Sequence, residues 1–272
     1  MIIKIIMSGH NKWSKIKHKK AAEDLKKGKI FSKLAQQITA AAREGGGDPD
    51  MNPSLRLLID KAKSESMPQN NIDRAVDRGS GDSSNGLIFE PITYEGFGPA
   101  GVSMIVDVLT DNKNRVVADL RTIFNDYDCS LGESGSVSWN FDQKGLITVK
   151  CGKLEKSEKF GQDDKFVPIP KDEVMMSLME IEGVHDIIES SHEEGLLEVY
   201  TDVVDMGNVR DAIQAKEYII NDARLIKRAK NPKDYSDEDL EKIANFIDKV
   251  DDYPDVQKVW TDADPNKILK YL

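Results

Sequence analysis

The spacing of apolar residues is helical throughout the first part of this 272-residue chain and first changes at the stretch GSGDSSNG, residues 79–86. Before this stretch, apolar residues recur every three or four positions, as they do on one face of a helix. After it, alternating strand-like segments are interspersed with helical ones. A run of Gly, Ser, Asn and Asp is typical of a linker. The pattern predicts an α+β protein whose N-terminal domain, residues 1–80, is helical.

Three helices are predicted before the linker. The first ends at the glycines of residues 45–47, and the second begins with Asn52 as its N-cap and Pro53 in its first turn. The third is expected to end at Gly79. The apolar stripes of the three helices are formed by Ile30, Leu34, Ile38 and Ala41, by Leu55, Leu58, Ile59 and Ala62, and by Ile72, Ala75 and Val76.

Two further domains of α+β type are predicted after the linker. Residues 87–142 contain the strand-like segments IFEPITYEG, GVSMIVDVLT and SVSWNFD, with the helical segment NRVVADLRTIFNDY before the last of them. Residues 143–231 have the order βαββαβ of the ferredoxin-like split unit, with its final strand predicted over Ala223–Arg228. The helix and strand predicted in residues 232–272 cannot form a domain alone. We therefore expect them to complete a second ferredoxin-like α+β domain with residues 87–142, into which residues 143–231 are inserted as the third.

Positive charge is concentrated at the N-terminal end. Residues 1–33 contain ten lysines and two acidic residues, a net charge of +8, whereas the whole chain carries −10, so that residues 34–272 carry −18. A basic end on an acidic body is typical of an arm that binds a polyanion. The alternative is a solvated lysine-rich helix, but the acidic body already provides solubility.

The segment HNKWSKIKHKK, residues 10–20, places an indole and two histidines among these lysines. Lysine ammonium groups bind phosphates, and an indole stacks on an unpaired base of any identity. Alternatively, Trp13 packs with Ile16 against the helical domain. The residues predicted to bind nucleic acid are Gly9, His10, Lys12, Trp13, Lys15, Lys17, His18, Lys19, Lys20, Lys26, Lys27 and Lys29.

Motifs for other chemistry are weak. GFGPAG, residues 96–101, matches G-x-G-x-x-G, but a strand follows it where a dinucleotide site needs a helix, so a hairpin loop is expected. His185 and His192 flank a predicted strand and no two histidines have metal-ligand spacing. TDNKNR, residues 110–115, is interpreted as a helix start capped by Asp111 or Asn112. We predict no catalytic residue, no metal and no cofactor, and the chain is not expected to be an enzyme.

Two features bear on location. Cys129 and Cys151 are too few for a disulfide framework, which favours a reducing, cytoplasmic compartment. No apolar run reaches the ~20 residues of a membrane helix, so no membrane partner is expected. The short apolar opening MIIKIIM is followed by basic residues, unlike a signal peptide, and Met7 is a second candidate start.

Several segments together resemble the YebC/PmpR family: GHNKWSKIKHKKAAEDLKKGKIFSKL, GGGDPDMNPSLRLLIDKA, MPQNNIDRAV, YEGFGPAG, TDNKNR and GSVSW. The resemblance extends over Ser8–Trp260. It implies three domains, one interrupting another, and a non-enzymatic regulator of gene expression of the kind labelled DNA-binding transcriptional regulators. Mitochondrial relatives are tied to translation at the ribosome. The chain departs from the family in its first six residues, in Asn11, and in the insertion KCGKLEKSEKFGQDDKF.

Three functional hypotheses remain open at this point. The first is a DNA-binding regulator, and the second is a ribosome-associated factor that binds rRNA through the basic arm. The second is favoured physically, because residues 12–33 contain no recognition helix with Arg, Asn or Gln directed at base edges, and because an acidic body is repelled by a long duplex. The third is a protein-binding scaffold. A monomer is expected in each case.

Overall fold

The computed structural model describes residues 10–81, 88–155, 165–190, 195–268 and 270–271, and for residues 10–26 it describes the backbone alone. Within these ranges the chain has an α+β fold, with helices first and two sheets after them, which confirms the predicted fold class. In chain order the helices are α1 (His10–Gly45), α2 (Pro53–Ser64), α3 (Gln69–Ser80), α4 (Lys113–Asn125), α5 (Lys171–Met179), α6 (Met206–Ala215), α7 (Asp237–Asp251) and α8 (Pro265–Ile268). The strands are β1 (Glu90–Phe97), β2 (Ser103–Thr110), β3 (Ser130–Leu131), β4 (Phe141–Glu155), β5 (Lys165–Pro168), β6 (Val184–Glu189), β7 (Leu196–Thr201), β8 (Tyr218–Ala229) and β9 (Val256–Thr261).

Helices α1, α2 and α3 share one apolar core. Most of its buried residues come from the predicted stripes, among them Leu34, Ile38, Leu55, Ile72 and Ala75, and Ala42 and Met67 add to them. The predicted N-cap is confirmed, since the Asn52 side chain accepts a hydrogen bond from the Leu55 backbone N–H at 3.1 Å. The three helices therefore form because each has one apolar stripe and a defined start or stop.

Two predictions within this helical region are wrong. Ile30 is 38% exposed, because the core of the three helices begins at Phe31 and Leu34. Gly79 does not end α3, which continues to Ser80. Instead, Gly79 is buried where α3 crosses α1, and a Cβ added there would lie 2.3 Å from the Thr39 carbonyl oxygen.

The first sheet has the strand order β3-β1-β2-β9. GFGPAG connects β1 and β2 as an antiparallel hairpin, with Phe97 opposite Ser103, which confirms the hairpin interpretation. Helix α4 packs by Val116, Leu120 and Phe124, all fully buried, and Asn112 caps it by accepting from the Arg115 backbone N–H at 3.0 Å. Phe124 meets Phe246 of α7 edge-to-face, with ring centroids 4.9 Å apart.

The second sheet has the ferredoxin-like arrangement that the βαββαβ order predicts. Strand β4 pairs with β7 on one edge and with β8 on the other, and β7 pairs with β6. Helices α5 and α6 supply Val174, Leu178, Val209 and Ile213 to the core on one face. The opposite face carries a smaller cluster around Tyr200.

Three element boundaries in this part differ from the predictions. SVSWNFD is not a strand, because Ser138–Asn140 form a 3-10 turn and β4 begins only at Phe141. Strand β8 begins at Tyr218 and not at Ala223. Strand β5 begins in the last two residues of the lysine-rich insertion, extends to Pro168, and is not among the predicted strands.

The chain divides into two compact units. One comprises Met1–Ser134, Lys242–Val259 and Leu272, and the other comprises Gly135–Glu241 and Trp260–Tyr271. The strands of the second sheet lie between β3 and β9 in the sequence. The finer division into domains 1–80, 87–142 plus 232–272, and 143–231 stays a prediction.

Candidate nucleic-acid interface

Most of the predicted nucleic-acid-binding residues belong to helix α1. At about 1.5 Å per residue, this helix of 36 residues is about 54 Å long. Gly9 lies outside the described residues, and only the backbone is described for His10, Lys12, Trp13, Lys15, Lys17, His18, Lys19, Lys20 and Lys26. The described backbone brings the candidates from His10 to Lys29 onto one continuous helix.

Spacing along this helix groups several lysines on one side. Lys12, Lys15, Lys19, Lys26 and Lys33 are separated by three, four or seven residues, which are the intervals that return to the same side of a helix. We call these five residues the lysine stripe. A row of ammonium groups on one side of a rigid helix can follow a phosphate backbone.

The C-terminal end of the lysine stripe meets carboxylates of the same chain. Lys33 Nζ donates to Asp251 Oδ1 at 2.8 Å, and the neighbouring Lys29 forms an ion pair with Asp252. Lys27 is exposed. The predicted ligand Lys29 is therefore engaged within the protein, in an exposed pair that a phosphate could replace.

Residues Asp251–Asp255, DDYPD, form the acidic turn between α7 and β9. Two polar contacts extend its docking on α1, one from Gln36 Nε2 to Asp255 Oδ1 at 3.3 Å and one between the Gln37 and Gln257 side chains at 2.9 Å. The Gly28 backbone, the Lys29, Ser32 and Lys33 side chains and the acidic turn line a cleft of about 270 Å³. The polar side of α1 is thus held by hydrogen bonds and ion pairs.

Asp255 is the buried centre of this contact. Its carboxylate accepts from Thr110 Oγ1 at 2.7 Å and from the Arg115 guanidinium at 2.5 Å, which raises the pKa of Arg115. The Tyr253 hydroxyl donates to Asp119 at 2.7 Å, and burial together with this hydrogen bond raises the pKa of Tyr253 to about 12. These groups fix the position of the acidic turn.

Sequence reasoning missed this network. TDNKNR was interpreted as a helix start, and Asn112 does cap α4, but Thr110 and Arg115 also bind Asp255. The two partners are 145 and 140 residues from Asp255 along the chain. The spacing of one short motif contains no signal for such a distant partner.

The histidine positions do not form a convincing metal site. His185 Nε2 lies 3.0 Å from Asp202 Oδ2, and Asp205 completes a group of three ligand atoms within 4.8 Å of one another. Lys144 Nζ is 2.7 Å from the other Asp202 oxygen and, with His185, lowers the pKa of Asp202. An ammonium already occupies the position next to the carboxylate, so an ion-pair network accounts for the cluster. His192 lies outside the described residues.

The two cysteines are free and buried, and burial is the main cause that raises the pKa of both thiols. A thiol with a raised pKa is a poor nucleophile at neutral pH.

None of the helices in the described ranges combines the length and apolar character that a bilayer-spanning helix needs.

The fold and the basic helix define a multidomain α+β protein with a helical N-terminal domain. Family models agree with this division: residues 11–82 match the TACO1/YebC protein N-terminal domain, and residues 89–263 match the TACO1/YebC second and third domain. The chain belongs to the TACO1/YebC family, which confirms the resemblance seen in its motifs.

Similar proteins align with almost the whole length of the chain. A protein of Desulfosudis oleivorans named "Probable transcriptional regulatory protein" is 43% identical over 257 residues, covering 94% of this chain and 96% of the relative. A protein of Halothermothrix orenii with the same name is 40% identical over 268 residues, covering 98% and 99%. The crystal structure of a conserved hypothetical protein from Aquifex aeolicus is 29% identical, with a TM-score of 0.71 and coverage of 87% and 90%.

Proposed function

We propose that this protein is a regulator of gene expression that binds nucleic acid through the lysine stripe of α1. The observation that carries the proposal is that the lysines of the N-terminal segment lie along one helix, anchored by its own C-terminal half in the core of α1, α2 and α3. Lysines on a preformed helix bind phosphates with less loss of backbone entropy than lysines on a flexible tail. The names of the relatives describe transcriptional regulators, which are not an enzyme class, and support the regulatory part of the proposal.

RNA is the second candidate ligand, in a ribosome-associated role, and two observations favour it over duplex DNA. Gln36 and Gln37 are the glutamines of α1 and would suit base-edge contacts, but Gln36 binds Asp255 of the acidic turn and Gln37 binds Gln257 of β9. The charge of −18 outside residues 1–33 opposes the approach of a long duplex, whereas a folded RNA can receive a basic helix locally.

Binding measurements over a salt series test the phosphate contacts. Lys15→Ala and Lys19→Ala should each weaken binding to all sequences alike and reduce the log–log salt slope by about 0.7–0.9. The affinities for a structured rRNA fragment and for duplex DNA are measured in parallel on the full chain. Unchanged affinity and slope in both variants would remove the lysine stripe from the mechanism.

Trp13 distinguishes base stacking from core packing. If the indole stacks on an unpaired base, Trp13→Ala costs ~1–3 kcal/mol of RNA affinity and leaves the salt slope unchanged. If it packs against the helical domain, the same substitution lowers the melting temperature. Tighter, sequence-selective binding to duplex DNA would favour the transcriptional role, and nuclease-sensitive co-sedimentation with ribosomes would favour the translational one.

A further inference from the structure

Trp139 is the most exposed aromatic residue in the described part of the chain, with 67% of its surface accessible. Its indole N–H donates to the Ser136 carbonyl at 3.1 Å, so the polar atom of the ring is satisfied within the protein. An exposed indole is unusual on a protein surface and is typical of a binding site when other recognition groups lie nearby. The ring faces, and not the N–H, are what this residue offers a ligand.

The turn that carries Trp139 is held firmly. Asn140 is buried, its carbonyl accepts from the Lys230 backbone N–H at 2.7 Å, and its side-chain oxygen accepts from the Asn231 backbone N–H at 3.2 Å. Lys230 Nζ in turn donates to the Trp139 carbonyl at 3.1 Å. Folding therefore fixes the indole beside the C-terminal end of β8, 91 residues further along the chain.

That end of β8 is the second basic segment of an acidic chain. RLIKRAKNPK, residues 224–233, contains five basic residues and no acidic one. Arg224 and Arg228 pair with Leu146 and Asp142 of β4, and so lie on the sheet face opposite α5 and α6. The tertiary structure thus brings Lys230 to Trp139, at the end of a strand that also carries Arg224 and Arg228.

We propose that Trp139 and this basic segment form a second nucleic-acid site, which takes an unpaired base on the indole and phosphates on the adjacent cations. Stacking on an aromatic ring accepts any base, and neighbouring basic side chains follow the backbone of a single strand. A base in a duplex is already stacked on both faces, so duplexes do not fill the site. The proposal goes beyond the lysine stripe, because all of its residues lie in the other compact unit.

The cations of this segment already face carboxylates, which sets the expected strength of binding. Arg228 lies 3.0 Å from Asp186, Lys230 lies 3.2 Å from Asp142, Lys233 lies 3.3 Å from Asp262, and Arg224 pairs with Asp222. The pairs of Arg224, Arg228 and Lys230 join side chains that are exposed on both sides, and such ion pairs are weak, whereas the Asp262 carboxylate is buried. A strand must replace them, so binding should be modest and should fall steeply with salt.

Fluorescence of Trp139 provides a direct test. The chain has three tryptophans, at positions 13, 139 and 260, so the double variant Trp13→Phe/Trp260→Phe leaves Trp139 as the single indole. Titration of this full-length variant with oligouridylate and with oligothymidylate at low salt should quench its emission. A blunt DNA duplex of equal length should not. Comparison of the two single strands shows whether RNA or DNA is preferred.

Substitutions in the wild-type protein measure how much Trp139 and the cations contribute to single-strand affinity. Trp139→Ala should weaken single-strand binding roughly 5- to 150-fold, with the salt slope and the duplex affinity unchanged. Trp139→Phe should retain part of the affinity, since a phenyl ring also stacks. Arg224→Gln/Lys230→Gln should weaken binding and flatten the slope.

The experiment distinguishes loss of binding at Trp139 from loss of binding at the lysine stripe. Adding Lys15→Ala/Lys19→Ala to the single-indole variant lowers affinity if the lysine stripe binds, yet leaves the quenching at saturation intact if Trp139 stacks. Absence of quenching by any oligonucleotide, together with unchanged single-strand affinity in Trp139→Ala, would overturn the proposal and point to a protein partner for this indole.

Discussion

Gly79 shows at the scale of one residue how closely α3 approaches α1. A methyl group there would lie 2.3 Å from a carbonyl oxygen of α1 and 2.8 Å from the Ala42 Cβ. Gly79→Ala should destabilise the helical region by about 1–3 kcal/mol, because backbone atoms cannot move aside as a side chain does. Urea denaturation followed by circular dichroism measures the loss.

Gly28 of α1 is the matched control, because nothing lies within 4 Å of the position of its added Cβ. Gly28→Ala should stabilise the helix by about 0.5–1 kcal/mol through its higher helix propensity. Equal effects of the two substitutions would show that helix propensity, and not the crossing, determines the outcome.

Ionisation of the Tyr253 hydroxyl should make the stability of the protein depend on pH. Its pKa is raised from 10.0 to about 12, chiefly by burial and then by the hydrogen bond to Asp119. Because the folded pKa exceeds the unfolded one, the stabilisation is complete below pH 10 and is lost as the pH rises through about 12. Burial also raises the pKa of Tyr200 and Tyr235, so absorbance at 295 nm should show one fewer late phenol ionisation in Tyr253→Phe than in the wild type. An equal number of late ionisations in the two proteins would show that Tyr253 titrates normally.

Contacts between residues close in sequence were predicted well, and those set by distant partners were not. The caps Asn52 and Asn112 follow from a polar residue just before a helix, and both form as expected. The exposure of Ile30 and the burial of Gly79 depend on where a neighbouring helix ends or crosses, which no local pattern contains.

The contact between α1 and the acidic turn is the feature of interest at the scale of elements. Asp251 and Asp252 bind Lys33 and Lys29, so they occupy positions that phosphates would take. Asp251→Asn/Asp252→Asn should therefore tighten polyanion binding and steepen the log–log salt slope by up to about 0.7–0.9 for each lysine released. Titration with a structured RNA over a salt series gives both quantities.

A charge-matched control separates release of the lysines from net charge. Asp172 and Glu173 lie in the first turn of α5, in the other compact unit, and Asp172→Asn/Glu173→Gln changes the net charge equally. This control should alter affinity little. If both double variants tighten binding to the same degree, the acidic turn has no specific role.

Helices and strands were predicted correctly where the characteristic spacing of apolar residues extends over enough positions. The strand prediction for SVSWNFD was wrong because the alternation of apolar and polar residues is short there. In addition, Asn140 binds the segment after β8, which holds the chain in a turn. Strand β5, KFVP, was missed because it is four residues long and forms only by pairing with the extended end of β4.

At the scale of the whole molecule, the first compact unit contains both α1–α3 and the first sheet, although a linker was predicted between them. Gly79 and Ser80 belong to α3, so protease cleavage is expected after them, in the part of the predicted linker rich in Gly, Ser, Asn and Asp, residues 81–86. The resulting N-terminal fragment should stay bound at low salt, because Lys29, Lys33, Gln36 and Gln37 contact residues 251–257.

These contacts are polar, so salt should weaken them. Ions at about 1 M reduce the Debye length to about 3 Å and screen the exposed Lys29–Asp252 pair and, to a lesser degree, the part-buried Lys33–Asp251 pair. Gel filtration of the nicked protein should therefore show one species at low salt and two at high salt, and Asp251→Asn/Asp252→Asn should separate at low salt. Separation of the nicked wild type at every ionic strength would show that the acidic turn does not hold α1. Continued association at high salt in the variant would show that apolar packing, and not these ion pairs, joins the helices to the sheet.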